Sequence, residues 1–225
     1  IDDAYIITPS GKKIANFKKN NLSVVNYSAP INKTLNLKEL KKNLHTLPDQ
    51  PNAIPYVTSY YKKRWGFCLP FKEYKKLKKG KYRVFIKSKL KKGHLVYSDK
   101  LIKGKSKKEI LISTYLCHPQ MANNELSGPL VRSSLYKILK NTGPHEYSYR
   151  FLICPENIGS AAFLHYSKKK VKNIIAGFVI NCVGYGKEFT YKKSRRGNSI
   201  SDLAAENVLK NSWPGFSFFL EASNS

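Results

Sequence analysis

The sequence predicts an α/β fold: a mainly parallel sheet with helices on both faces, accompanied by a small β-rich subdomain. Three observations carry this. Apolar runs of strand length recur at 110–117, 147–154, 174–183 and 216–220. Between them apolar residues recur at helical spacing, at Val131, Leu135, Ile138 and Leu139, then over 159–166, then over 201–209. Strands that alternate with helices are the pattern of repeated βα units, whose crossovers cover both sheet faces. Upstream of residue 105 the pattern changes, because Pro48, Pro51, Pro55, Gly66, Pro70, Gly80 and Gly93 break the chain into short pieces.

Taken in order, the chain starts without a methionine and inside a pattern, which suggests a missing upstream piece. Residues 5–7 and 14–17 read as a hairpin turned at Pro9 to Gly11, and 22–27 as a further strand closed by Pro30. A short helix is expected at 37–44, then an aromatic cluster of Tyr56, Tyr60, Tyr61, Trp65 and Phe67. Two β runs, 82–86 and 94–102, follow, joined through a turn at 91–93. We therefore expect residues 1–30 and 105–225 to form the α/β domain and 31–104 an inserted β-rich subdomain. Its aromatic cluster reads first as core and second as a wall for substrate. The helix after the first long strand should start near Pro129 and stop at Gly143. The chain stops soon after a strand, so the domain is expected to continue past Ser225.

The charge narrows the function classes. Forty-one Lys and Arg against 14 Asp and Glu give a formal +27. A polyanion partner would use such charge. The lysine doublets, however, are spread along the chain, arginine is scarce and no recognition motif accompanies them, so a lysine-rich solvated surface is favoured over nucleic-acid binding. No apolar run is long enough to span a bilayer and no signal-peptide pattern opens the chain, so a soluble, cytoplasmic protein is expected. Cys68, Cys117, Cys154 and Cys182 form no CxxC pair, which argues against a zinc ribbon or a disulfide framework. Three of them fall at strand ends and read as small buried apolar residues.

Chemistry is expected where parallel strands end, since ligands of open α/β sheets bind beyond the carboxyl ends of the strands. The first strand end presents His118, Asn124 and Glu125; the second presents Glu156; the third presents Asn181, Cys182 and Gly184. One imidazole and two carboxylates can hold zinc or a similar divalent metal, and a further carboxylate could take a proton from bound water. The bland alternative makes His118 a turn residue and Glu125 an acid favoured at a helix start. His45, His94, His145 and His165 lack such context. Arg195 and Arg196 could bind a substrate carboxylate, although a solvated basic loop is the simpler reading.

The ordered set CHPQMANNELSGP, PENIGS and NCVG, together with PDQPNAIPYVTSYYKKRWGFC upstream, resembles the aminopeptidase-like proteins of the zinc-exopeptidase superfamily, in a bacterial branch with a small inserted domain. The resemblance covers essentially the whole chain. It implies an exopeptidase-type α/β fold and zinc activating a water for attack on a peptide or related amide bond. His118 matches the first histidine ligand. Asn124 stands where a metal-bridging aspartate is expected, so either its amide oxygen coordinates or Glu125 takes over. Glu156 matches a position where the superfamily carries a general base followed by a glutamate ligand, but Asn157 follows it here. Asn181 lies near a further aspartate position, and the last histidine ligand would lie past Ser225. Neutral groups in place of anions favour one zinc over two. The expectation is a metallohydrolase with Glu156 as catalytic group and His118, Asn124 and Glu125 as metal residues. The alternatives are a catalytically impaired pseudo-enzyme serving as a binding module and a basic-surface nucleic-acid binder. The oligomeric state is not legible.

Overall fold

The structure, a computed structural model, describes residues 1–118, 121–186 and 190–212, and the backbone of 217–219. Its contacts divide the chain into two compact units, Ile1–Gly93 and His94–Ser225.

The first unit runs β1 (Asp3–Ile7), β2 (Lys13–Ile14), β3 (Ile31–Asn36), α1 (Leu37–Lys41), β4 (Leu44–His45), β5 (Phe67–Cys68), α2 (Phe71–Lys75) and β6 (Lys81–Lys87). An antiparallel sheet of order β2-β1-β6-β3 organises it. Side chains alternate across a strand, so Tyr82, Val84 and Ile86 of β6 and Ala4 and Ile6 of β1 share one buried face. Val24, Leu40 and Phe67 complete that core. The start of α1 carries a reciprocal cap: Asn36 Oδ1 accepts the Glu39 N–H and the Glu39 carboxylate accepts the Asn36 N–H. The aromatic cluster divides. Phe67 is fully buried and Trp65 packs on the core, whereas Tyr60 and Tyr61 are exposed.

Three sequence expectations differ here. Residues 22–27 form no strand: Asn20 Oδ1 accepts the Leu22 N–H and starts a 3₁₀ turn, Asn21–Ser23, because an asparagine side chain competes locally for backbone groups. Residues 82–86 and 94–102 form no hairpin. The chain instead leaves the first unit, and the later strand starts at Ser98 and pairs elsewhere. Finally, β1 is bonded to β6, so β1 and β2, from the segment 1–30 grouped above with 105–225, share a sheet with β3 and β6, and the contacts divide the chain at Gly93. Such pairing is non-local and leaves no mark in local sequence.

The second unit runs β7 (Ser98–Ile102), β8 (Glu109–Tyr115), a π-helical turn (Asn123–Ser127), α3 (Gly128–Asn141), β9 (Ser148–Cys154), α4 (Ile158–Tyr166), α5 (Lys168–Val171), β10 (Ile174–Val179), β11 (Thr190–Lys192), α6 (Ile200–Ser212) and β12 (Ser217–Phe219). Its main sheet has the order β10-β8-β9-β7. β8 is parallel to both β9 and β10, and β7 is an antiparallel edge, so the sheet is mainly parallel but mixed. Helices cover both faces, as strand parity shows. Tyr136 of α3 packs edge-on to Phe151, at 5.2 Å, while Phe163 of α4 packs with Leu152 and Cys154, which point the other way from Phe151.

Charged groups lock the end of the sheet where β8 and β9 begin. Arg150, buried in β9, bonds Glu109 through Nε and Nη2, at 2.5 and 3.0 Å, and Asp99 of β7 through Nη1, at 2.7 and 2.9 Å. Lys170 adds a contact to Asp99 at 2.7 Å. Asp202, fully buried near the start of α6, accepts bonds from Tyr191, Ser194 and Ser199. No described helix is long and apolar enough to cross a membrane.

Candidate functional site

The first and second strand ends meet because β8 and β9 are adjacent and parallel, with Tyr115 opposite Cys154. The sequence places the start of the helix after β8 near Pro129. Residues 123–127 are instead wound as a π-helical turn that runs straight into α3, an insertion often found at functional sites. Gly128 permits this: a Cβ there would lie 2.3 Å from the Ile180 carbonyl oxygen and 2.4 Å from Thr114 Oγ1. β10 ends at Val179, earlier than the expected 183, and the chain turns at Cys182 with a φ of +50°. The π-helical turn holds that third strand end, since Val183 N–H donates to Ser127 Oγ at 3.0 Å and Gly184 N–H to Asn123 Oδ1 at 2.8 Å.

These elements bring three of the expected residues together. His118 Nδ1 lies 2.6 Å from Glu125 Oε1, and His118 Nε2 lies 3.5 Å from Glu156 Oε2. Glu125 is only 3% exposed, and its second oxygen accepts the Cys117 backbone N–H. Glu156 is the accessible carboxylate of the pair, its side chain 41% exposed. It is aimed by a tight turn: Asn157 adopts φ +54° and ψ −71°, and the Ile158 N–H reaches back to the Glu156 carbonyl at 2.6 Å. A positive-φ turn of this kind is strained for a residue with a Cβ, and such strain clusters at functional sites.

Asn124 sits beside this group. Its Nδ2 donates to Tyr115 Oη at 2.8 Å and lies 3.5 Å from Cys182 Sγ, while its Oδ1 is buried with no hydrogen-bond partner among the described residues. Burial, together with Cys182 and Glu156 nearby, pushes the Tyr115 hydroxyl up to about 12, so it remains a neutral donor at physiological pH. Burial also raises the Cys117 thiol, whose sulfur accepts the Glu156 backbone N–H at 3.3 Å.

These side chains are of the kinds that can hold a divalent ion. Ligand atoms on a tetrahedral zinc stand about 3.3 Å apart for bonds near 2.0–2.1 Å. The 3.5 Å separation of His118 Nε2 and Glu156 Oε2 meets this, whereas 2.6 Å between His118 Nδ1 and Glu125 Oε1 is hydrogen-bond length. Asn124 Oδ1 is a further oxygen donor, unsatisfied among the described residues. Among the described residues, the cluster of His, Cys, Asp and Glu donors close enough to share an ion is Cys117, His118 and Glu125, whose donor atoms lie within 4.8 Å of one another.

Other sequence expectations fare variously. Arg195 and Arg196 are exposed on the loop that Asp202 ties at Ser194 and Ser199. His145 is satisfied by the Leu139 carbonyl. Pro119, expected to help end the first strand, lies outside the described residues. Reading the strand-end cysteines as buried holds for Cys154 but not for Cys117 or Cys182, which are exposed because their strands end before them. Tyr115, Asn123 and Ser127 went unnoticed. The NELSG string contains the last of these, but only the π-helical turn shows that it faces the third strand end.

Comparison with known proteins places this site in context. A Clostridium acetobutylicum protein named as a candidate polysaccharide biosynthesis protein with an aminopeptidase-like domain is 44% identical over 209 residues, covering 93% of this chain and 48% of the relative. The chain thus spans about half the length of the curated relative it matches. The crystal structure of a candidate peptidase from C. acetobutylicum superposes with a TM-score of 0.94 at 41% identity, over 99% of this chain and 52% of that one. The zinc aminopeptidase BSAP from Bacillus subtilis shares the fold, with a TM-score of 0.67 at 15% identity over 96% of this chain and 66% of that one. The family described as a domain of unknown function, DUF4910, matches residues 7–222, and the chain belongs to that family.

Proposed function

We propose that this chain carries the site of an aminopeptidase-like metallohydrolase that cleaves a peptide or related amide bond with the aid of a single zinc ion. The observation that carries the reading is the convergence of His118 Nε2 and Glu156 Oε2, 3.5 Å apart at the ends of adjacent parallel strands. The names of the C. acetobutylicum relatives and the fold shared with a zinc aminopeptidase support it. When bound, zinc would polarise the scissile carbonyl and lower the pKa of a water. His118 supplies an imidazole ligand, and Asn124 Oδ1 is the neutral oxygen best placed by chemistry to join it. Glu156, accessible and held by the strained Asn157 turn, takes the proton from the attacking water and delivers it to the leaving amine. Tyr115, neutral and engaged by Asn124, keeps that amide oriented. With all four cysteines free, the setting we assign is the cytoplasm.

The test is elemental analysis of the protein and of His118→Ala after removal of adventitious metal, followed by assay on a panel of aminoacyl amides. Stoichiometric zinc that is lost in His118→Ala, with hydrolysis lost in Glu156→Gln, is the expected result. Zinc retained at wild-type stoichiometry in His118→Ala removes the assignment. Zinc bound without hydrolysis of any amide favours a binding module built on the same fold.

A further inference from the structure

We propose that Glu125 is a positioning residue rather than a ligand: its buried carboxylate fixes the His118 imidazole as the Nδ1–H form, directing the Nε2 lone pair toward Glu156. The inference rests on the metallohydrolase reading for its purpose, but its geometry stands independently. Two lone pairs would repel at 2.6 Å, so the contact between His118 Nδ1 and Glu125 Oε1 requires a proton between them. With the carboxylate ionised, that proton is the imidazole N–H, and in the neutral ring Nε2 is then the unprotonated nitrogen, open to a metal.

Glu125 is built for this role. Its other oxygen accepts the backbone N–H of Cys117, the residue before His118, so one carboxylate grips both the ring and the main chain that carries it. The grip comes from the rigid side of the site, because Glu125 lies within the π-helical turn and its own N–H is bonded to the Met121 carbonyl at 2.8 Å. Turning Glu125 into a ligand through Oε1 would break its bond to the ring and leave the Nδ1–H without that acceptor. Carboxylates that accept the second N–H of a ligating histidine fix its tautomer and raise its basicity, and their loss typically weakens metal binding about 10–100-fold. With Glu125 outside the ligand set, the metal donors are His118 Nε2 and the neutral Asn124 Oδ1, and Glu156 keeps its role as the base.

The experiment uses the whole chain labelled with ¹⁵N-histidine, metal-free at pH 8, with ring tautomers read from two-bond ¹H–¹⁵N correlations. The His118 signals are identified by their loss in His118→Ala. The wild type should show a protonated Nδ1 and a bare Nε2, and Glu125→Gln should shift His118 toward the Nε2–H form. In a chelator-competition titration, Glu125→Gln should weaken zinc about 10–100-fold while His118→Ala abolishes it. Glu109→Gln, at the other end of β8, should lower stability without moving the His118 tautomer. An Nε2–H form in the wild type, an unchanged tautomer in Glu125→Gln, or zinc loss in Glu125→Gln as complete as in His118→Ala each overturns the proposal. If even the wild type takes no zinc, the metallohydrolase reading fails and the tautomer measurement alone decides the role of Glu125.

Discussion

The pair β8 and β9 carries a cluster of ionisable groups at each end, and the two clusters are built differently. Where the strands start, Arg150 bonds through Nε, Nη1 and Nη2 to two carboxylates, and Lys170 joins one of them. That cluster is closed: each charge has an opposite charge in contact, which is what burial demands. Where the strands end, His118 bridges two carboxylates, one buried and one accessible, beside an amide oxygen with no partner among the described residues and a strained turn. The same residue types therefore serve cohesion at one end and leave unsatisfied donors at the other. Perturbed ion pairs alone would not distinguish them; completeness does.

The largest expected effect tests the closed end. Arg150→Met leaves buried Glu109 without its cation and half-buried Asp99 with Lys170 alone, and should cost about 3–5 kcal/mol in urea denaturation, as removal of one partner from a buried pair does. His118→Ala, which strips one oxygen of Glu125 of its partner, should cost less, about 1–3 kcal/mol. Equal losses at the two ends would abolish the distinction.

Acid should act next. Although burial by itself would raise both groups, hydrogen bonds from Lys170 and Arg150 bring Asp99 below the usual carboxylate range, and those from Ser194 and Ser199 hold Asp202 far below it. A folded-state pKa below the unfolded value near 3.8 contributes stability that is full above that value and is lost progressively as pH falls from there through the folded-state pKa. Urea midpoints should therefore change little from these two groups between pH 6 and 8 and decline steeply below about pH 4. Asp202→Asn should lower the neutral-pH midpoint and flatten the acid limb; an unchanged limb would mean that Asp202 is not the group responsible.

The smallest effect lies at the open end. Asn157→Gly relieves a positive φ, so its stability should match or exceed the wild type by about 1 kcal/mol or less. Because the same turn aims Glu156, amide hydrolysis should fall even so. A variant that is both more stable and fully active would show that the strain has no part in aiming Glu156.

Much of the second unit was legible in local sequence. Strands at 147–154 and helices at 131–139, 159–166 and 201–209 were found because apolar periodicity reports burial directly. The first unit was harder to read. Its central strand β6 takes partners from both ends of the segment, and short strands of two residues, such as β4 and β5, carry no periodic signal. In the site, His118, Glu125 and Glu156 stood out as polar residues following buried strands, and Asn124 by its place in the ANNELSG string. What each one touches did not.

The sequence alone determined the α/β class, the succession β8, α3, β9, α4, β10, α6 and β12 in the second unit and the residues that could meet beyond the strand ends, since these follow from side-chain period and residue type. Only tertiary structure decided that β1 belongs with β6, that the NNELS stretch winds into a π-helical turn, and that Glu125 faces the Nδ1 of His118 while Glu156 faces its Nε2. Strand pairing and the two edges of an imidazole are set by contacts between distant segments, and no local pattern encodes them.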